Sequence, residues 1–294
     1  MHPKIDLASW RFDGSRPLDL STFPTEAPDI TADKKEYKAL IADYGAQIDE
    51  LQNLMYAHDR YALLLVFQAM DAAGKDGVIR DVMTGVNPHG VEVTSFKRPS
   101  ETELQHDFLW RTQLALPQRG NIGIFNRSYY EEVLVVRVHP EILQQVQRIP
   151  AEMVSQPEKV WEQRFEDIRN LESYLHRNGT HILKFYLHIS KDEQKKRFLD
   201  RIETPSKNWK FAAGDVKERK HWDAYMAAYE ACINATAAPH APWYVVPGDN
   251  KHEARLIVAE TILTHMRSMR MEYPKLDEAR TAELATYRKM LEEE

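Results

Sequence analysis

The sequence predicts an α/β fold, a five-stranded parallel sheet sandwiched by helices. Three observations carry that prediction. Residues 61–67 form an apolar run that ends in a glycine turn, the mark of a strand buried on both faces. Four more short strand-like stretches follow at 91–96, 121–125, 182–187 and 243–247, each parted from the next by helical patterning. No internal repeat or low-complexity linker interrupts the 294 residues. Residues 33–294 therefore read as one domain, preceded by an irregular arm at 1–32.

Each element has its own local reason. The arm carries Pro3, Pro17, Pro24 and Pro28 with little periodicity, and is expected to lie on the surface. From Asp33 onward, Tyr37, Leu40, Ile41, Tyr44, Ile48, Leu51 and Met55 recur at helical spacing and predict an amphipathic helix. A helix at 78–83 follows the first strand and its turn. Residues 91–96 alternate as a strand does. Ser100 with Glu103 is a capping box, which predicts a helix from there to just before Pro117. Helices are expected at 158–177 and 191–201, then a polar, basic segment at about 203–220 and a helix rich in Ala and Tyr. Beyond the fifth strand, Leu256, Ile257, Ile262, Leu263, Met266 and Met269 predict a core-facing helix, with a charged helix after it, the two spanning about 250–293.

Composition narrows the function classes. The 39 basic and 45 acidic residues leave a charge of −6, which argues against a nucleic-acid coat. Any polyanion site must be a local basic patch. Cys232 is the single cysteine, so no internal disulfide or thiolate cluster is expected. The first residues show no signal-peptide pattern, and no apolar run approaches the roughly 20 residues that span a bilayer. The expectation is a cytoplasmic protein without membrane or nucleic-acid partners, and a homodimer or homotetramer given its long flanking helices.

Met70-Asp71-Ala72-Ala73-Gly74-Lys75-Asp76-Gly77, between a strand and a helix, has the layout of a phosphate-binding loop. Backbone N–H groups at a helix N-terminus face the phosphate, and the helix dipole favours the anion. Ala72, Ala73, Gly74, Lys75, Asp76 and Gly77 are thus candidate phosphate contacts, with Arg80 one turn on and Lys75 reaching the outer phosphates. Ala69 replaces the usual first glycine, and Asp76 the usual metal-binding hydroxyl. A carboxylate beside phosphates repels them unless a divalent cation lies between. Asp71 is therefore read as a ligand of Mg²⁺, with Mn²⁺ as its substitute.

A parallel sheet binds ligands at the carboxyl ends of its strands, which puts two more segments beside this loop. In Asn126-Arg127-Ser128-Tyr129-Tyr130-Glu131, Arg127 could stabilise charge on a transferred phosphoryl, while Glu131 could orient a nucleophile or complete the Mg²⁺ shell. The plainer reading is an i,i+4 surface pair. Residues 191–220 hold ten Lys/Arg and six Asp/Glu, a local +4. Within them Lys207, Trp209, Lys210 and Phe211 interleave charge with aromatic rings, as a lid over a polyanion would. Arg80, Lys97, Arg98, Arg111, Arg137 and Lys184 are further basic residues near the predicted edge. The twelve histidines show no zinc spacing. On these residues alone an ATP-dependent nucleoside or nucleoside-monophosphate kinase and a non-catalytic nucleotide-binding module stay open.

Taken together, the loop at 70–77, residues 125–131 and Pro205-Ser206-Lys207-Asn208-Trp209-Lys210-Phe211 resemble the family-2 polyphosphate kinases, as do Asn87-Pro88-His89-Gly90, Ser95-Phe96-Lys97 and Asp107-Phe108-Leu109-Trp110-Arg111. The resemblance covers about 33–270. It implies a thymidylate-kinase-like P-loop kinase fold that moves a phosphoryl between inorganic polyphosphate and AMP, ADP, ATP or other nucleotides, reversibly and with Mg²⁺. Carried over, Asp71 is a metal ligand, Lys75 a phosphate binder, Arg127 a transition-state contact, and Lys207 and Lys210 lid contacts. Arg137 joins the polyphosphate set, and Asn87, Phe96, Lys97 and Arg127 the nucleotide set. Many members carry Asp where this chain has Asn126 and Asn where it has Glu131. The Asn126/Glu131 combination is similar to one-domain class III members, which accept both AMP and ADP. Glu131 is then the candidate second metal ligand.

Overall fold

A computed structural model describes residues 3–211 and 213–293, with the side chains of Lys210 and Ala213 outside the description. Among the described residues the sheet has six strands rather than five: β1 (Arg11–Phe12), β2 (Ala62–Ala69), β3 (Val91–Ser95), β4 (Ile122–Asn126), β5 (Thr180–His188) and β6 (Trp243–Pro247). Their order is β1-β6-β5-β2-β4-β3. The five expected strands are parallel, and β1 adds antiparallel to β6. Two residues show no periodicity, so β1 is invisible to pattern reading.

All eight residues of β2 are buried, because the strand pairs with β4 on one side and β5 on the other. The continuous apolar run is what such a position demands. From β2 the chain goes to the β3 edge, returns through β4, and then crosses to β5. The strand order therefore reverses beside β2, which opens a crevice at its carboxyl end. Helices Lys34–His58, Lys75–Val82 and Lys251–Ser268 pack on one another over one face. Helices Pro157–Arg177 and Trp222–Thr236 pack on one another across the other, where Tyr186 of β5 stacks on Tyr229 at 4.2 Å. Asp33 caps the first of these helices by accepting from the N–H groups of Lys35 and Glu36.

Two expectations need correction. The arm is tied into the fold instead of lying over it: Phe12, Leu18 and Leu20 are buried. Leu18 N–H donates to Asn234 Oδ1 at 2.7 Å and its carbonyl accepts from Asn234 Nδ2 at 2.9 Å, so the arm's backbone is satisfied where no regular ladder exists. The capping box does form, Ser100 N–H donating to Glu103 Oε2 at 2.6 Å. It caps only a single turn, Glu103–Gln105, because His106 is extended; a turn in which Asp107 accepts from Leu109 N–H then leads into a separate short helix, Trp110–Leu114.

Candidate active site

At the carboxyl end of β2 the chain turns through Met70–Gly74 into helix Lys75–Val82. The turn is tight enough to place Ala72 (φ 64°) and Gly74 (φ 100°) in the left-handed region. For Ala72 that is strained, and the surroundings hold it. Gln194 donates to the Asp71 carbonyl at 2.9 Å. Arg197 donates to the Ala73 carbonyl at 2.6 Å and, through its other terminal nitrogen, to the Gly248 carbonyl after β6 at 2.6 Å. One buried guanidinium thus stitches the loop to the end of β6. The first N–H groups of helix Lys75–Val82 have no intrahelical partners, leaving them for an anion.

The other side chains converge from neighbouring strand ends. Arg127 lies just past β4 with a φ of 63°, and its N–H donates to the Phe67 carbonyl of β2 at 3.0 Å. Its side chain donates to Asp71 Oδ1 at 2.8 Å and stands 3.9 Å from Glu131 Oε2. Asn126 donates to Asp76 Oδ1 at 2.7 Å. Lys75 Nζ folds back to donate to the Ala69 carbonyl at 2.9 Å. Gln68, its amide nitrogen toward Glu131, donates to Oε1 at 2.8 Å while its oxygen accepts from Ser128.

Electrostatics follow from crowding. Burial, then the Arg127 charge, hold the Lys75 ammonium below its ordinary range against the pull of Asp71 and Glu131. Burial pushes the Glu131 carboxyl up, while Arg127 and Lys75 oppose it. Burial works against the Arg127 charge, but Glu131 and Asp71 outweigh it and raise its pKa.

These groups line a cleft of about 830 Å³. Residues 71–77 and Ser95–Arg98 form one part of its wall. Arg197, Asp200, Arg201, Lys207, Trp209, Asp215 and Lys251 form another. Eight lysines and arginines face four aspartates there, a basic patch inside an acidic protein. A second cavity of about 310 Å³ adjoins it and is mainly apolar, with Leu104, Val135, Val136, Ile142 and Val146 in its wall. Phe96, Lys97, Arg98 and Arg127 line both. A third, of about 40 Å³, is shared by Asp71, Arg127 and Glu131.

Strand-order geometry of this kind is that of a P-loop kinase, and comparison with known proteins names the branch. Residues 31–274 match the family described as Polyphosphate kinase 2 (PPK2). This chain belongs to the polyphosphate kinase 2 family. It is 52% identical over 292 residues to an ADP-polyphosphate phosphotransferase of Rhodopseudomonas palustris, covering 98% of this chain and 99% of that one. It is 41% identical over 256 residues to an AMP/ADP-polyphosphate phosphotransferase of Meiothermus ruber, covering 87% and 91%. The crystal structure of polyphosphate kinase 2 from Arthrobacter aurescens superposes with a TM-score of 0.84 at 37% identity, over 98% of both chains.

Of the residues expected at the site of this polyphosphate kinase 2 member, the loop residues 71–77, Phe96, Lys97, Arg127 and Lys207 line the cleft. Glu131 lies one layer behind, in the two adjoining cavities. Three others do not line any of these cavities. Arg80 points away and donates to Asp81 at 2.7 Å. Arg137 covers the Phe165 ring at 5.8 Å. Asn87 caps a turn by accepting from His89 N–H at 3.0 Å. The Lys210 side chain lies outside the described residues. Among the other basic residues expected near the edge, Arg111 donates to the Lys97 carbonyl at 2.8 Å, whereas Lys184 is wholly buried on β5. Sequence reasoning missed Lys251, Arg197 and Arg201. Lys251 was within reach of the strand-end rule, since it opens the helix after β6; nothing in the pattern singled out the others.

Proposed function

We propose that this protein transfers the terminal phosphoryl of inorganic polyphosphate to AMP and ADP, reversibly and with Mg²⁺. The observation that carries the proposal is the place of Arg127, paired with Asp71 where the basic cleft meets the apolar cavity. Polyphosphate carries about one negative charge per phosphate, so the cleft suits the donor. The apolar cavity, with Phe96 and Lys97 at its mouth, suits a nucleoside whose phosphate faces Arg127.

The donor set fits magnesium in one way only. Among the described residues no three His, Cys, Asp or Glu side chains come close enough to cage a metal ion. Asp71 and Glu131 share a small cavity, so they could supply one or two carboxylates while phosphates and water complete the shell, the habit of Mg²⁺. Bound there, the ion would neutralise phosphate charge. The protein does the rest: Lys75 and the loop N–H groups bind the chain, Arg127 meets spreading charge, and Lys207 and Lys251 screen the polyanion. The attacking nucleotide phosphate is already ionised at neutral pH, so no strong base is required. Among the described residues lining the cleft there is no histidine or cysteine.

The same reading includes a cytoplasmic homodimer or homotetramer. The assembly is supported by the exposed Leu284, Tyr287 and Leu291 along helix Glu278–Glu292, and no described helix is long and apolar enough to cross a membrane. Light scattering of the purified chain checks the assembly, a monomer overturning it.

The decisive assay offers polyphosphate of defined length with AMP, then with ADP, with and without Mg²⁺, and separates the nucleotides by ion exchange. ADP and ATP are expected only with the metal. An intact polyphosphate ladder in every arm, or transfer from ATP but not from polyphosphate, would overturn the proposal.

A further inference from the structure

Behind the Arg127 segment a polar cluster is sealed in the apolar interior. Lys184 of β5 is 0% exposed and Glu172 of helix Pro157–Arg177 is 1% exposed. All three ammonium protons are used: Lys184 Nζ donates to Glu172 Oε2 at 2.6 Å, to the Tyr130 hydroxyl at 3.0 Å and to the Thr236 carbonyl at 2.8 Å. Glu172 Oε1 accepts from the hydroxyls of Tyr129 at 2.8 Å and Tyr130 at 2.6 Å. The Tyr130 ring packs against Trp243 of β6 at 4.7 Å. Among the described residues lining the cleft, none of these six is found.

Stability is a poor reason for such a cluster, because apolar residues of similar volume often fill a site of this kind at no loss. A polar network fully satisfied inside a core does something else: it allows one geometry and penalises the rest. Here the geometry belongs to the turn that follows β4. Tyr129 and Tyr130 sit between Arg127 and Glu131, and Ser128 Oγ accepts from Tyr130 N–H to close the turn. Both hydroxyls donate to one carboxylate oxygen, which ties the turn to helix Pro157–Arg177 at two points. Arg127, held at a left-handed φ immediately before it, then keeps its side chain on Asp71.

We propose that Glu172 and Lys184 are positioning residues for phosphoryl transfer, locking the Ser128–Glu131 turn through the two tyrosine hydroxyls so that Arg127 is aimed into the cleft. The inference rests on the reading of Arg127 as the contact to the transferred phosphoryl. Neither residue touches substrate; each acts through the tyrosines.

The test is a double-mutant cycle. Tyr130→Phe and the pair Tyr129→Phe with Tyr130→Phe are made in the wild-type chain and in Arg127→Lys. For each, kcat, both KM values and the urea midpoint are measured with polyphosphate and ADP. In the wild-type chain kcat should fall about tenfold or more, the scale of a misplaced catalytic contact, with both KM values held within about twofold. In the Arg127→Lys chain the same changes should alter kcat less than about twofold, while shifting the urea midpoint as before. Glu172→Leu combined with Lys184→Met should reproduce the kcat loss; should that variant fail to fold, the tyrosine variants decide. Wild-type kcat in folded tyrosine variants, or an equal loss in both backgrounds, overturns the inference alone. An active-site reading that fails shows itself differently, as a wild-type protein inactive with polyphosphate, and takes this inference with it.

Discussion

Asp71 and Arg127 are half-exposed, hydrogen-bonded to each other and surrounded by groups of like need, which separates their chemical weight from their structural weight. An ion pair so open to solvent contributes at most about 1 kcal/mol to stability. Asp71→Asn and Lys75→Ala should therefore each lower kcat by roughly 10²-fold or more, the effect of losing one oriented electrostatic contact, with a nearly unchanged unfolding midpoint. Activity that survives either substitution would return that residue to an ordinary strand-to-helix turn. Glu131→Asn should shift the AMP-to-ADP preference more than the KM for polyphosphate, since Glu131 lines the apolar cavity and not the cleft. Equal preference before and after would remove it from acceptor choice. Lys184→Met alone has the opposite profile. It strands the Glu172 carboxylate in the core and should cost about 3–5 kcal/mol, read as a drop in the urea midpoint.

Between elements, two contacts make testable behaviour. The segment after helix Lys191–Glu203 hangs over the cleft by polar ties, Lys207 Nζ donating to Asp200 Oδ2 at 2.7 Å, and both groups are open to water. Lys207→Ala with Lys251→Ala should raise the KM for long polyphosphate and flatten its salt dependence, because fewer counterions are displaced. An unaltered slope would show that the segment does not touch the chain. At the amino end of β5, His181 Nδ1 and His265 Nε2 lie 3.0 Å apart, which requires at least one neutral ring. Burial, then the neighbouring His181, hold His265 down to about 4. A histidine depressed in the folded state from about 6.5 binds its proton more readily when unfolded. Its contribution is whole above pH 6.5 and is lost as the pH falls toward 4. Urea midpoints taken across that window should decline, and His265→Gln should flatten the decline; parallel curves would rule the pair out as the cause.

For the whole molecule, legibility in the sequence divides along how far each signal reaches. The five parallel strands, the amphipathic helix that precedes them and the glycine-lysine turn were readable because their causes lie within a few residues: an apolar run, an i,i+3/i+4 stripe, a small-residue turn. The loop and Arg127 followed, since strand ends in a parallel sheet share one edge, and Lys207 was legible from the basic and aromatic residues interleaved around it. The arm was misread because its ties lie more than 200 residues away, Leu18 N–H on Asn234, Leu20 N–H on Glu230 and Phe12 beside Trp243, which no local window contains. Lys184 was misread for a related reason. A lysine in a strand looks exposed until its counterion is known, and Glu172 lies on a helix twelve residues earlier.

Local pattern was enough for the class of fold, the membership signature and the place of the glycine-lysine loop, all of which are properties of side chains and their spacing. The strand order, the second cavity beside Arg127 and the sealed carboxylate that anchors Tyr129 and Tyr130 emerged with the folded chain. Those depend on which surfaces meet, and burial assigns a charge its role only after the partner has been brought to it.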